Sequence, residues 1–135
     1  MSAYRLLVVD DFDLVRDVIC AMLRAEDDFD VVGQATGGSE AIDLAAKFQP
    51  DVVLLDLAMP EMDGLEALPK ITEAAPATRV VVLSGFGTDQ AVAAAMASGA
   101  TAFLHKAADL YDNLVPTLRR VLDQPDADAA QQESA

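Results

Sequence analysis

The sequence predicts an α/β protein in which a doubly wound parallel sheet has helices on both faces. Along the 135 residues, five short β-rich runs alternate with five segments of helical periodicity. The β-rich runs are apolar throughout and lack the alternating polar face of a half-exposed strand, which is typical of strands buried on both sides. We therefore expect one five-stranded domain over residues 1–123.

The five predicted strands are short runs rich in Val and Leu. They cover residues 6–9, 31–33, 52–55, 80–83 and 101–104. The second strand is followed by Gln34 and Ala35, which carry no reactive group. This favours a position for the second strand at an edge of the sheet, away from a ligand-binding crevice.

The five predicted helices cover residues 13–26, 38–48, 63–74, 88–98 and 109–123. In the first helix, apolar residues recur at i, i+3, i+4 and i+7, namely Val15, Val18, Ile19 and Met22. Asp13 is predicted to be the N-cap of this helix. Cys20 is predicted to lie on its more polar side, as an incidental thiol.

Glycine and proline residues indicate where helices end or are distorted. Gly99 is predicted to end the fourth helix in a left-handed conformation. Pro69 and Pro116 fall inside the third and fifth helices, where each should kink or shorten the helix because proline lacks a backbone N–H. Residues 124–135 lose the apolar period and carry only acidic charge, so we expect a flexible acidic tail or a truncated linker there.

Composition disfavours several classes of function. Nine Lys and Arg against 23 Asp and Glu give a net charge of −14, which disfavours direct binding to nucleic acid or to an anionic membrane. No apolar run approaches the roughly 20 residues needed to cross a bilayer, and the first residues show no signal-peptide pattern. The single cysteine cannot form an internal disulfide, and the single histidine leaves no Cys/His cluster for zinc. We therefore expect a cytoplasmic protein.

Polar side chains follow four of the five predicted strands. They are Asp10 and Asp11 after the first, Asp56 after the third, Ser84 after the fourth, and His105 and Lys106 after the fifth. Because ligands of parallel sheets bind at the carboxyl ends of the strands, we expect these groups to be neighbours at one edge. We interpret His105 as an exposed neighbour without a ligand role.

This set of residues indicates a chemistry that no member indicates alone. Clustered carboxylates bind hard cations such as Mg²⁺. A carboxylate can also attack a phosphoryl group whose charge is neutralised by a metal and a cation, and Lys106 can supply the cation. Ser84 can donate a hydrogen bond to a phosphoryl oxygen. Taken singly, Asp11 is typical of a helix cap, Ser84 of a turn and Lys106 of a solvated surface, so their joint placement carries the prediction.

Four stretches of the chain match a known family. They are VVDD at residues 8–11, LLDLAMPEMDG at 54–64, LSG at 83–85 and SGATAFLHKA at 98–107. In this order, over residues 4–123, the chain resembles the receiver domains of bacterial two-component response regulators. Two positions depart from the usual pattern, since Gly85 replaces a common alanine and Ala107 replaces the proline that often follows the lysine.

The resemblance implies a flavodoxin-like receiver fold with strand order 2-1-3-4-5. It also implies that Asp56 is the phosphoacceptor. Asp11, Asp56 and the backbone carbonyl of Ala58 would bind Mg²⁺ directly, and Asp10 would act mainly through water.

Three further residues receive roles from the same resemblance. Lys106 would pair with the phosphoryl group on Asp56. Ser84 would be the hydroxyl that moves towards this group, and Phe103 would be the aromatic residue that changes rotamer in response.

The resemblance also implies the partners. The donor would be a phosphohistidine on a sensor histidine kinase or on a histidine phosphotransfer protein, within a two-component phosphorelay. A downstream protein target, or a second copy of the chain, would bind the face formed by the fourth helix, the fifth strand and the fifth helix. A stand-alone receiver is favoured, and the alternative is the receiver part of a DNA-binding transcriptional regulator whose output domain is missing.

Two other classes of protein are less favoured. A small phosphatase with an Asp nucleophile needs a second carboxylate two residues later, where this chain has Ala58. A receiver-like binding module without phosphorylation needs none of the polar residues at the strand ends. We therefore expect a signalling phosphoacceptor that catalyses only its own phosphorylation and dephosphorylation, and not an enzyme with a separate substrate.

Overall fold

The computed structural model describes residues 3–85, 89–106 and 110–123, in which five strands and five helices alternate. The strands are β1 (Tyr4–Val9), β2 (Phe29–Ala35), β3 (Val52–Asp56), β4 (Arg79–Ser84) and β5 (Ala102–His105). The helices are α1 (Asp13–Arg24), α2 (Gly38–Phe48), α3 (Gly64–Ala74), α4 (Asp89–Ala97) and α5 (Leu110–Asp123). Thr88 and Asp109, where the last two helices are predicted to begin, lie outside the described residues, as does the segment 124–135.

The sheet is parallel and has the order β2-β1-β3-β4-β5, so the predicted α/β class and strand order are confirmed. β2 lies at an edge, also as predicted. Val9 pairs with Leu55, Asp56 with Leu83, and Ser84 with His105. The carboxyl ends of β1, β3, β4 and β5 therefore lie side by side.

Each strand supplies side chains to two apolar layers, because successive residues of a strand point to opposite faces. In β1, Leu7 and Val9 pack with α2, α3 and α4. Leu6 and Val8 pack with α1 and α5 on the other face. All four are fully buried, and burying each such side chain stabilises the fold by about 1.5–3 kcal/mol. The strand ends that carry the polar residues are thus fixed by a core on both sides.

The predicted N-cap at Asp13 is wrong. The residue before α1 is Phe12, which makes no side-chain capping hydrogen bond. Asp13 is instead the first helical residue, and its carboxylate lies 2.6 Å from Nη2 of Arg16, one turn later. The ion pair with Arg16 draws the carboxylate along the helix surface and away from the N–H groups that a capping side chain binds.

The predicted polar position of Cys20 is also wrong. Its side chain is buried and packs in the same apolar layer as Ile19 and Leu23. α5 packs beside α1, and Leu114 and Leu118 of α5 belong to the same layer, so the buried stripe of α1 is wider than its apolar spacing indicates. Burial raises the pKa of the Cys20 thiol.

Gly99 ends a helix as predicted, whereas the two prolines do not end theirs. Gly99 has φ +110°, and its N–H donates to the carbonyl of Met96 while Ala100 donates to Ala95, so the predicted left-handed helix end is confirmed. Neither α3 nor α5 ends at its proline. Both Pro69 and Pro116 are exposed, so their rings lie on the solvent side of the helices.

Two arginines fix the C-terminal part of α5 to the rest of the domain. Arg79, at the start of β4, donates from Nη1 to the carbonyl of Leu122 at 3.4 Å. Arg119 donates from Nε and Nη2 to the two carboxylate oxygens of Asp28 at 3.3 and 3.1 Å, and this lowers the pKa of Asp28. The end of α5 therefore lies at the amino-terminal edge of the sheet. In the described part of the chain, none of the helices is long and apolar enough to cross a membrane.

Candidate functional site

The polar residues at the strand ends meet around one cleft. Asp11, Asp56, Ser84 and Lys106 line a cleft of about 520 Å³ at the carboxyl edge of the sheet. Asp10 is fully buried beside it and contacts Lys106. The structure thus brings together the five polar residues to which the sequence pattern assigns a chemical role, namely Asp10, Asp11, Asp56, Ser84 and Lys106.

Three carboxylates form a compact cluster at this cleft. Asp10, Asp11 and Asp56 each offer an oxygen atom, and these atoms lie within 4.8 Å of one another. Asp10 and Asp56 are buried, whereas Asp11 is exposed. Close carboxylate oxygens beside an open space are the donor set that hard divalent cations prefer.

Lys106 joins the two buried carboxylates. Its Nζ lies 2.7 Å from Oδ2 of Asp10 and 3.0 Å from Oδ2 of Asp56. Its backbone N–H donates to the carbonyl of Ser84 at 2.9 Å, which extends the pairing of β4 with β5. Burial opposes the charged form, but the hydrogen bonds to both carboxylates raise the pKa of Lys106 above its ordinary value, so its ammonium stays protonated at neutral pH.

Asp56 is a carboxyl group with a perturbed acidity. Burial and then the negative charge of Asp10 raise the pKa of Asp56 to about 6, although Lys106 and the N–H of Ala58 favour its ionised form. The Ala58 N–H donates to Oδ1 at 3.1 Å. Asp56 is therefore mainly ionised only above pH 6, and its two oxygens are held by different donors.

The two residues predicted to switch lie on the neighbouring strands β4 and β5, where Phe103 pairs with Val82, two residues before Ser84. Ser84 is buried at the end of β4 and lines the cleft. Phe103 is 41% exposed on β5, and its ring lies edge-on to that of His105 with centroids 5.5 Å apart. His105 is half-buried and not exposed as predicted, and the ring of Phe103 is one of its neighbours. The switch roles of Ser84 and Phe103 stay predictions.

A glycine allows α3 to begin directly against the end of β3. The N–H of Gly64 donates to the carbonyl of Leu57 at 3.0 Å, and a Cβ at residue 64 would lie 2.4 Å from the backbone oxygen of Asp56. Asp63 caps the helix by accepting the N–H of Glu66 at 2.8 Å. The loop that holds the Asp56 carboxylate is therefore closely packed under the helix.

The sequence does not reveal two polar residues that support the site. Arg16 of α1 donates to the backbone carbonyl of Asp10 at 2.8 Å and to the side-chain oxygen of Gln34 at 3.2 Å. The spacing of Asp13 and Arg16 is a signal for their ion pair. The contact with Gln34, which is 18 residues away, has no such local signal.

A family model and curated relatives of similar sequence point to the same protein family. A family model described as the response regulator receiver domain matches residues 6–118. The transcriptional regulatory protein LiaR of Bacillus subtilis is 39% identical over 111 residues, which cover 80% of this chain and 53% of LiaR. The chain spans about half the length of the curated relatives it matches.

Solved structures agree with the sequence matches. The signal receiver domain of NarL from Mycobacterium tuberculosis superposes with a TM-score of 0.83 at 30% identity, covering 92% of this chain and 100% of that domain. A chain in the CheX–CheY–BeF3–Mg²⁺ complex from Borrelia burgdorferi gives a TM-score of 0.77 at 28% identity, covering 90% of this chain and 88% of its own length.

Proposed function

Because the chain belongs to the response regulator receiver domain family, we propose that it accepts a phosphoryl group on Asp56. The donor is a phosphohistidine of a sensor histidine kinase or of a histidine phosphotransfer protein. The observation that carries the proposal is the placement of the Lys106 ammonium 3.0 Å from the carboxylate of Asp56, beside a cleft large enough for a phosphoryl group.

The transfer exchanges one bond to phosphorus for another. A carboxylate oxygen of Asp56 forms a bond to phosphorus while the bond between phosphorus and the imidazole nitrogen of the donor breaks. The electron pair stays on that nitrogen, and the product is an acyl phosphate on Asp56 with a free histidine on the partner.

Asp56 and Lys106 have complementary tasks in this transfer. The nucleophile must be ionised, and a pKa of about 6 leaves Asp56 mainly ionised at neutral pH. The Lys106 ammonium is already within hydrogen-bond distance of Asp56, so it can pair with a phosphoryl oxygen after a small movement. Ser84, which lines the same cleft, can donate its hydroxyl to another phosphoryl oxygen.

Mg²⁺ fits the carboxylate cluster. Asp10, Asp11 and Asp56 would hold it together with the backbone carbonyl of Ala58, which lines the same cleft. When bound, Mg²⁺ supplies positive charge that offsets the negative charge of the phosphoryl oxygens. The presence of Mg²⁺ in the related CheX–CheY–BeF3 complex supports this choice of ion.

The output surface is proposed to be the face of α4, β5 and α5. Met96, Phe103 and Tyr111 are exposed there, with 40%, 41% and 74% of their surface accessible. Movement of Ser84 towards the phosphoryl group would allow Phe103 to turn inward and change this face. A downstream protein target or a second copy of the chain would bind it.

The route of the output has two candidates. The first is direct contact between this face and a protein target, as in a stand-alone receiver. The second is control of an attached DNA-binding domain. The match to LiaR, a transcriptional regulatory protein of which the aligned segment covers 53%, favours the second candidate.

The chain is proposed to be a phosphoacceptor and not a phosphatase with its own substrate. Ala58, two residues after Asp56, has no acidic group that could protonate a leaving alcohol. A generic phosphate ester such as p-nitrophenyl phosphate should therefore give no turnover above background.

Labelling of the Asp56→Asn variant tests the proposal. The wild-type chain should be labelled by acetyl phosphate with Mg²⁺, as measured by phosphate-affinity gel electrophoresis, and Asp56→Asn should not be, because an amide cannot form the acyl phosphate. Asp63→Asn is the matched control, since Asp63 lines the same cleft and Asn can also cap α3. Stoichiometric labelling of Asp56→Asn would contradict the proposal.

A further inference from the structure

We propose that Arg16 is a positioning residue that fixes the main chain between Asp10 and Asp11 and thereby holds the Asp11 carboxylate in place to bind Mg²⁺. The inference rests on the proposed function, because it concerns the same carboxylate cluster. Arg16 acts through the backbone and is not itself a ligand.

The guanidinium of Arg16 joins three segments of the chain. Nη1 donates to the backbone carbonyl of Asp10 at 2.8 Å, Nη2 lies 2.6 Å from a carboxylate oxygen of Asp13, and Nε donates to the side-chain oxygen of Gln34 at 3.2 Å. The side chain is only 13% exposed. Because the residue after β1, the first residue of α1 and a residue of β2 each provide one acceptor, the planar guanidinium is held in one orientation.

Asp11 depends on its main chain more than the other two carboxylates do. Asp10 and Asp56 each accept a backbone N–H, at 2.9 and 3.1 Å, and each contacts Lys106. Within the ranges 3–85, 89–106 and 110–123, no hydrogen bond or ion pair to the Asp11 carboxylate is found. The position of this exposed carboxylate is therefore set by the backbone that precedes it.

Arg16 binds the peptide group on which that position depends. The carbonyl of Asp10 and the nitrogen of Asp11 belong to the same planar peptide, so a bond to the carbonyl also orients the start of Asp11. The N–H of Asp10 donates to the carbonyl of Ala35 at 3.1 Å. Asp10 is thus held on both sides, and the bond from Arg16 is charge-assisted and stronger than a neutral one.

Charge and positioning predict opposite effects on Mg²⁺ binding. Removing a positive charge from a chain with net charge −14 strengthens its attraction for a cation, so the loss of charge alone lowers the Kd. Loss of the anchor on the Asp10 carbonyl raises the Kd, because ion binding must then order the Asp11 backbone. The direction of the change separates the two roles.

The experiment measures the Kd for Mg²⁺ of the whole chain by calorimetric titration with MgCl2. Arg16→Met should raise the Kd roughly tenfold, as is typical for the loss of a residue that orients metal ligands. Arg24→Met is the matched control, because Arg24 lies on the same helix, is exposed and carries the same charge. Its Kd should equal or fall below that of the wild-type chain.

A second variant guards against a fold defect, with folding of each variant checked by urea unfolding in EDTA. Arg16→Lys keeps the charge but loses the planar fork, and its Kd should rise roughly threefold. A Kd of Arg16→Met at or below that of Arg24→Met would overturn the proposal. If Arg16→Met does not fold, a Kd of Arg16→Lys equal to that of the wild-type chain would overturn it instead. If the wild-type chain itself does not bind Mg²⁺, the metal site of the proposed function fails first.

Discussion

At the scale of single residues, two carboxylates at the cleft repel each other in the folded chain. Asp10 and Asp56 are both buried, and their negative charges repel each other. Lys106 contacts both but offsets only part of this cost, since the pKa of Asp56 is still raised to about 6. The ionised form of Asp56, which the proposed phosphoryl transfer requires, therefore destabilises the fold.

Asp56→Asn is expected to stabilise the metal-free chain, and more so at high pH. The folded pKa of about 6 exceeds the ordinary value of 3.8, so Asp56 supports folding fully below pH 4 and loses this support as the pH rises through 6. At pH 8 the variant should be more stable by about 2 kcal/mol, after allowance for solvent in the cleft. The advantage should be about 1 kcal/mol smaller at pH 5.

Urea unfolding in EDTA at pH 5 and pH 8 measures this difference. Asp17→Asn, on the exposed side of α1, is the control for removing one negative charge outside the cleft. An advantage of Asp56→Asn that is equal at both pH values, or larger at pH 5, would show that the pKa of Asp56 is not raised.

The residues that the sequence predicts at the site are those that end strands. Asp10, Asp56 and Ser84 could be placed because a parallel sheet brings strand ends together, whatever their distance in sequence. Arg16 could not be, because its hydrogen bond to Gln34 depends on how α1 lies across β1 and β2. The burial of Cys20 depends in the same way on α5, which is formed about 90 residues later.

At the scale of elements, the start of α3 fixes the end of β3. Gly64→Ala should lower the free energy of unfolding by about 2 kcal/mol, because a Cβ there would lie 2.4 Å from the backbone oxygen of Asp56 and something must shift. The shift should also weaken the hydrogen bond from Ala58 to the carboxylate and slow labelling by acetyl phosphate.

Gly85→Ala is the control for Gly64→Ala. A Cβ at Gly85 would meet nothing within 4 Å, and the residue lies at the end of β4 beside the same cleft. Urea unfolding should give Gly85→Ala a stability close to that of the wild-type chain. If Gly64→Ala matches Gly85→Ala in stability, the close packing of α3 on β3 does not constrain the fold.

The elements themselves could be predicted, but their ends could not. α2 agrees with its predicted bounds because its apolar period and the following Pro50 define both ends. β1 and β2 extend two residues further than predicted at their starts. These residues include polar or aromatic side chains, and they are in strands because Tyr4 pairs with Phe29 and Arg5 with Asp30. Strand ends are therefore decided by the partner strand.

At the scale of the whole molecule, a chain with a net charge of −14 can be stabilised by salt in two ways, by screening of its charges and by binding of a cation at one site. Any salt screens repulsion between surface carboxylates. Mg²⁺ is expected to do more, because the proposed site in the folded cluster of carboxylates would bind it. At ten times its Kd, Mg²⁺ should add about 1.4 kcal/mol and raise the Tm by roughly 3–6 °C above the value in NaCl of equal ionic strength.

Thermal unfolding of Asp11→Asn checks that this gain comes from the cluster. The difference between MgCl2 and NaCl should largely disappear in Asp11→Asn and persist in Asp17→Asn, which removes the same charge elsewhere. Equal Tm values for the wild-type chain in the two salts would mean that Mg²⁺ acts only by screening.

The class of the fold could be predicted from the strand residues, whereas the order of the strands could not. The parallel, doubly wound class follows from strands that are apolar on both faces, such as Val52, Val53, Leu54 and Leu55, all fully buried. The order of the strands does not follow from this pattern, because burial on both faces is the same for each central strand. Beyond the edge position of β2, only the resemblance of the motifs to a known family predicts the order.

Arg79 and Ser84 stand at opposite ends of β4, roughly 17 Å apart at about 3.3 Å per residue. Ser84 lines the same cleft as Asp56, whereas Arg79 holds the last turn of α5 through the carbonyl of Leu122. A domain joined after Asp123 would start a full strand length from the cleft that contains Asp56. A structural change at the carboxyl edge of the sheet would have to be carried along this length of the fold to act on such a domain.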